Sequence, residues 1–178
     1  MAPLTTEDGP GGETFVRCPV RGRLFRLTPE ERVRQALIWF LREGSTRSEA
    51  LLKHIRFAVE ERSMDVRGYF AGGILDEGFR PSVTVTVLET KRLEEEAGDH
   101  AEQLKTYLQR DRCRSGLLFN GRQAIWLSVE GEFADQNWKT ELLTDLRQAE
   151  AKIEQAGHET NAHLTTCREL FFNDPPSC

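Results

Sequence analysis

Nine residues, Val83-Thr84-Val85-Thr86-Val87-Leu88-Glu89-Thr90-Lys91, constrain this chain more than any other stretch. Val83, Val85 and Val87 alternate with threonines, and β-branched residues suit a pleated, half-buried surface. Side chains at i and i+2 share one face of a strand, so that face continues into Glu89 and Lys91. A buried apolar row is thus expected to run into a carboxylate and an ammonium. Both are costly beside a core unless something pairs with them. A divalent metal and a phosphate are the partners this pattern predicts.

The rest of the chain sets the frame. Its 178 residues and 38% apolar content match one domain plus tails, with enough apolar surface for a core. No run approaches the roughly 18 apolar residues of a membrane span. The opening MAPLTTEDGPGGE lacks the basic-then-apolar order of a signal peptide, so a cytoplasmic protein with no membrane partner is expected. Cys18, Cys113, Cys167 and Cys178 are scattered, without a CxxC pair or a histidine at zinc spacing, and read as free thiols. The net charge of −5 argues against a nucleic-acid binder only if it is spread evenly. It is not: residues 130–178 hold 4 basic and 10 acidic groups, whereas residues 53–129 hold 12 of each. The segment around the strand is therefore neutral and rich in arginine, which permits phosphate contacts.

In chain order, residues 1–14 are rich in Gly, Pro, Thr and acids and read as a disordered tail. Residues 15–27 suggest a short strand or an arm. Thr28-Pro29-Glu30-Glu31 opens a helix to about Glu43, with Thr28 as N-cap, Pro29 at N1 and Glu31 at N3 completing a capping box. A looser helical stretch is expected over 48–54. Ile55, Phe57 and Val59 alternate as a strand, and Met64 to Phe70 returns as a second. With the Val83–Lys91 strand these predict an antiparallel meander that places Asp65 near Glu89. His100 to Arg110 has helical composition and puts Gln103 and Tyr107 one turn apart on one side. Gly116–Phe119 and Gln123–Val129 read as strands joined at Asn120-Gly121, a turn signal. Trp138, Leu142, Leu146, Ala149 and Ile153 fall at helical spacing and predict a helix over 135–155, with a last short helix ending at Phe171-Phe172. The domain expected is 15–130, with 131–178 as a helical extension packed on it. The Trp138–Ile153 face suits either its own sheet or a homodimer partner.

Metal-dependent phosphodiester hydrolysis needs oxygen ligands for a hard cation and a group acting on the attacking water. Asp65 and Glu89 supply two carboxylates, which stay ionised together when a cation neutralises them. The Thr90 carbonyl is a third ligand, and Lys91 reaches the same place to stabilise charge or orient water. Each signal has a plainer reading. Charged pairs usually mark a solvated face, and Glu150 with Lys152 repeats the spacing on what reads as an exposed helix. Glu31 is explained by capping and is only a subsidiary metal-site residue. Gln103 and Tyr107 are by default an ordinary polar and a half-buried aromatic residue.

These residues carry a resemblance. The run Thr28-Pro29-Glu30-Glu31-Arg32-Val33-Arg34-Gln35 looks like the opening helix of the N-terminal nuclease domain of type I restriction enzyme R subunits. Asp65 on a strand, Glu89-Thr90-Lys91, Gln103-x-x-x-Tyr107 and Asn120-Gly121 then follow in order. This is similar to the PD-(D/E)xK superfamily in its RecB-like, QxxxY-bearing branch, and the match covers about residues 28–128. The resemblance implies an α/β fold, a restriction-endonuclease-like mixed sheet flanked by helices. It also implies Mg²⁺- or Mn²⁺-dependent cleavage of DNA, with Asp65 and Glu89 as metal ligands, Lys91 catalytic, and Gln103 and Tyr107 supporting the site or touching DNA. A protein partner would supply specificity or motor activity. The alternative is a non-catalytic nucleic-acid-binding or interaction module on the same fold, with the acidic C-terminal helix as its docking surface.

Overall fold

The structure, a computed structural model, describes residues 5–44, 55–61, 64–70, 83–131 and 137–173, with the backbone alone at 43–44, 55–61, 64–65, 69–70 and 163–173. The expected helix over 48–54 lies outside the described residues. Those described form a small N-terminal sheet and a larger mixed sheet with helices on both faces. The small sheet is an antiparallel meander of β1 (Thr6–Asp8), β2 (Thr14–Arg17) and β3 (Leu24–Arg26). Part of the stretch expected to be a disordered tail is therefore strand: Thr6 pairs with Val16 and Asp8 with Thr14.

The large sheet has the order β4 (Ile55–Glu61), β5 (Met64–Phe70), β6 (Val83–Thr90), β7 (Ser115–Phe119), β8 (Ala124–Glu130) and β9 (Asn137–Leu143). The first three strands form the antiparallel meander that alternation predicts. β6 and β7 run parallel, and the chain crosses between them through α2 (Ala101–Arg110). Parallel neighbours require such a crossover, whereas β7 and β8 need only the short turn at 120–123. Gly121 occupies that turn at φ +93°, a backbone conformation that favours glycine. Gly116 answers a different need. A Cβ there would lie 2.5 Å from the Val87 carbonyl oxygen and 3.1 Å from a Leu104 methyl, so only glycine lets α2 sit this close to the strands.

The two faces of the sheet hold separate cores. On one, α1 (Pro29–Trp39) and α3 (Leu146–Asn173) pack Val33, Leu37, Ile38, Ala149 and Ile153 against Val66, Leu88, Leu117 and Trp126. On the other, Leu104 and Leu108 of α2 pack against Val87, Leu118, Ile125 and Leu127. Adjacent residues alternate between the two cores, as buried strands require. The row Val83, Val85, Val87 does not stay on one face. The register slips from Gly68 opposite Thr86 to Tyr69 opposite Thr84, leaving Val85 as an extra residue. This bulge turns Val85 into the α1/α3 core and leaves Val87 and Glu89 facing α2.

Three further expectations are corrected. Residues 137–143 are not the start of a helix but β9, antiparallel to β8, so the sheet extends beyond residue 130. Helical spacing from Trp138 to Ile153 was coincidental: Trp138 packs beside α2, Leu142 is 69% exposed, and Ala149 and Ile153 lie on the opposite face. No single helical stripe remains to support a dimer. The 28-residue α3 also replaces the two helices expected there. Finally, Glu150 is buried, at 1% exposure, because α3 lies on the sheet, while Lys152 pairs with Glu141 at 2.5 Å.

Beneath α2, Arg67 and Asp111 form a buried polar pair, with side chains each 2% exposed. Thr84 Oγ1 joins them, accepting from Arg67 Nε at 2.6 Å and lying 3.2 Å from Asp111 Oδ2. Burial pushes the neighbouring Cys113 thiol up to about 12. The folded state thus holds it neutral while the unfolded chain ionises near the ordinary thiol value of 9.0. Stability present below pH 9 is expected to be lost progressively as pH rises toward 12, by on the order of 4 kcal/mol in all. A Cys113→Ala variant followed by urea denaturation across that range should lack this slope.

Candidate active site

The site is built where β6 ends beneath the start of α2. β6 carries Glu89 as its penultimate residue, and Lys91 continues the ladder, its N–H donating to the Phe119 carbonyl at 2.9 Å. Spacing of two residues on an extended chain brings both side chains to the α2 face. Gln103 and Tyr107 stand one turn apart on α2 and meet them. Lys91 Nζ donates to Glu89 Oε1 at 2.8 Å and to Gln103 Oε1 at 2.9 Å. Gln103 Nε2 donates to Glu89 Oε1 at 2.9 Å and to Tyr107 Oη at 2.8 Å. Two elements distant in sequence thereby close a three-membered ring of carboxylate, ammonium and amide.

Each contact sets the next. The ammonium needs an acceptor and the carboxylate a donor, so the Gln103 amide has one orientation that serves both. Its Nε2 hydrogen makes Tyr107 Oη an acceptor, and the phenol's own proton is left to donate elsewhere. Burial decides the strength of the arrangement: the Glu89 side chain is 4% exposed and that of Lys91 12%. Charges so far from water are tolerable because they are paired and hydrogen-bonded.

Of the other expected site residues, Thr90 is fully buried at the end of β6, in register with Phe119. Asp65 lies on β5, and its side chain is outside the described residues. The register Val66 opposite Leu88, carried one residue on, brings Asp65 to the step across from Glu89. Glu31 stands apart from the ring. Thr28 Oγ1 accepts from the Glu31 N–H at 3.1 Å, as a cap should. The reciprocal half of the expected box is missing, since the Thr28 N–H donates to the Arg26 carbonyl at 2.9 Å. The Glu31 carboxylate instead accepts from Arg21, from Arg34 Nη1 at 2.6 Å and from Gln35 Nε2 at 2.7 Å. Two guanidiniums outcompete a main-chain amide for a carboxylate. Cys18 adjoins this cluster. Burial works to raise its pKa, but hydrogen bonds from Gln35 and Arg21 outweigh that and leave the thiol below its ordinary value.

A bracket that sequence reasoning missed holds the loop between Lys91 and α2. Asn120 is 2% exposed; its Oδ1 accepts from the N–H groups of Arg122 and Gln123, and its Nδ2 donates to the Glu95 carbonyl at 2.6 Å. Gln123 Oε1 accepts from the Ala97 N–H at 3.0 Å, and its Nε2 donates to Glu96 at 2.7 Å. The Asn-Gly pair signalled the turn, but nothing local signalled that the turn reaches across to residues 95–97. Asn120→Ala should cost about 1–3 kcal/mol by stranding buried partners. Faster amide hydrogen exchange confined to residues 92–100 and 119–124 would locate that loss.

The acceptors of Lys91 Nζ, Glu89 Oε1 and Gln103 Oε1, are oxygens that already hold a cationic group at 2.8 and 2.9 Å. That chemistry suits a hard cation, with Glu89 as the described carboxylate. Among the described residues, no three His, Cys, Asp or Glu side chains converge as a metal site, and no helix is long and apolar enough to cross a membrane. Comparison with protein-family models, curated proteins and solved structures finds no match to this chain.

Proposed function

We propose that this chain is a metal-dependent nuclease domain hydrolysing phosphodiester bonds of DNA, on a restriction-endonuclease-like mixed sheet. The observation that carries this reading is the convergence of Glu89, Lys91, Gln103 and Tyr107 from two separate elements at the end of a strand. A structural ion pair would need only Glu89 and Lys91. The added amide and phenol orient the pair, as a reactive site requires.

In this reading Glu89 and Asp65 hold Mg²⁺ or Mn²⁺, with the Thr90 carbonyl as a further donor. When bound, the cation lowers the pKa of attacking water and polarises the phosphoryl oxygen. Lys91 stabilises negative charge developing on the phosphate or orients the water. Gln103 fixes where the ammonium sits, and the Tyr107 hydroxyl donates toward the DNA backbone. A protein partner supplies sequence specificity or movement along DNA.

The test is incubation of wild type, Asp65→Ala and Lys91→Ala with linear and circular DNA in Mg²⁺ or Mn²⁺. Cleavage by wild type alone supports the reading. Equal cleavage by all three assigns the activity to a contaminant, and salt-sensitive DNA binding without cleavage assigns a binding module instead.

A further inference from the structure

Lys91 holds one oxygen of the carboxylate on which a metal at this site would depend. Its ammonium lies 2.8 Å from Glu89 Oε1, in a pair whose side chains are 12% and 4% exposed. A divalent cation on Glu89 would bring two like-signed centres within a few ångströms, where their repulsion is poorly screened. The two compete for the single negative charge of that carboxylate. The neighbouring acceptor decides where the ammonium goes. Gln103 Oε1 is 2.9 Å from Lys91 Nζ, carries no charge, and belongs to α2 rather than to β6. The helix gives it a second anchor, because Gln103 Nε2 bonds to Tyr107 Oη at 2.8 Å as well as to Glu89 Oε1 at 2.9 Å.

Resting on the metal-site reading above, we propose that Lys91 is a built-in competitor for the cation at Glu89, and that Gln103 Oε1 is the seat to which its ammonium withdraws when the cation binds. Loading is then an exchange of cations on one carboxylate, with the ammonium retained beside it. Metal affinity is held down in the empty protein by the same lysine that acts once metal is present. Gln103 is a positioning residue here, acting through Lys91.

Calorimetric titration with Mn²⁺ at pH 8 of wild type, Lys91→Met and Glu89→Gln tests this. Methionine keeps the length of the lysine stem and removes its charge. Lys91→Met is expected to bind Mn²⁺ at least about tenfold more tightly than wild type, a modest gain for losing a partly buried charge pair, and Glu89→Gln to bind none. A second measurement needs no variant protein as its subject. In wild type labelled with ¹³C-lysine, the Lys91 ε-methylene resonance, assigned by its absence from Lys91→Met, should shift on adding Mg²⁺.

Equal or weaker binding by Lys91→Met, with uptake by wild type and none by Glu89→Gln, overturns the competition and leaves the metal site standing. So does a Lys91 resonance unmoved at saturating Mg²⁺. No uptake by wild type or Lys91→Met overturns the metal site and this proposal together.

Discussion

Glu89→Gln is expected to lower Mg²⁺-dependent DNA cleavage by on the order of a thousandfold, while Tm moves by only a few degrees. The substitution preserves shape and keeps an oxygen for Lys91, whose contact is 2.8 Å in the native protein. What it removes is the negative charge, and with it the main anchor for a cation. A loss of this size follows when an electrostatic stabiliser is deleted from a site shielded from water. Gln103→Leu should act more weakly, by roughly tenfold to a hundredfold, since it frees Lys91 to wander without removing the carboxylate. Gel assays of plasmid nicking, normalised by circular dichroism melts, measure both. Unchanged cleavage in Glu89→Gln would end the nuclease reading.

The largest expected effect on stability lies elsewhere. Glu31→Ala should destabilise the fold by about 3–5 kcal/mol, because it removes the carboxylate that two buried guanidiniums share, although Arg34 keeps its pair with Glu30. The side chains of Arg21 and Arg34 are 7% and 8% exposed, and Glu31 bonds to both. Arg21 also lies against the Phe25 ring, 3.2 Å from its centroid, so the pair ties the β1–β3 meander to α1. Tm should fall by on the order of 10 °C, and limited proteolysis should cut first within residues 5–26. Mn²⁺ uptake by the surviving folded protein should match wild type. Stability within 1 kcal/mol of wild type combined with lost metal uptake would instead make Glu31 a member of the site.

How much of this was legible beforehand follows from the range of each interaction. Glu89 with Lys91 and Gln103 with Tyr107 were legible because strand and helix periodicities operate over two and four residues. The same local rules predicted β4 to β8, α1 and α2 within a few residues of their bounds. They failed where a short-range pattern had two solutions. Trp138 and Leu142 fit a helix by spacing, yet the unpaired edge of β8 took residues 137–143 as a strand. The threonine–valine alternation gave no hint of the bulge at Val85, which depends on how β5 pairs with β6. Glu150 looked solvated until α3 was laid on the sheet.

From the residues alone came an apolar strand closing on an acid and a lysine, and a helix offering an amide and a phenol on one side. Only the tertiary structure decided that the two meet, that Glu31 turns away to Arg21 and Arg34, and that Asn120 braces the loop between them. The reason is physical. Periodicity sets which way a side chain faces, whereas the partner it finds there depends on how separate elements and loops pack against it.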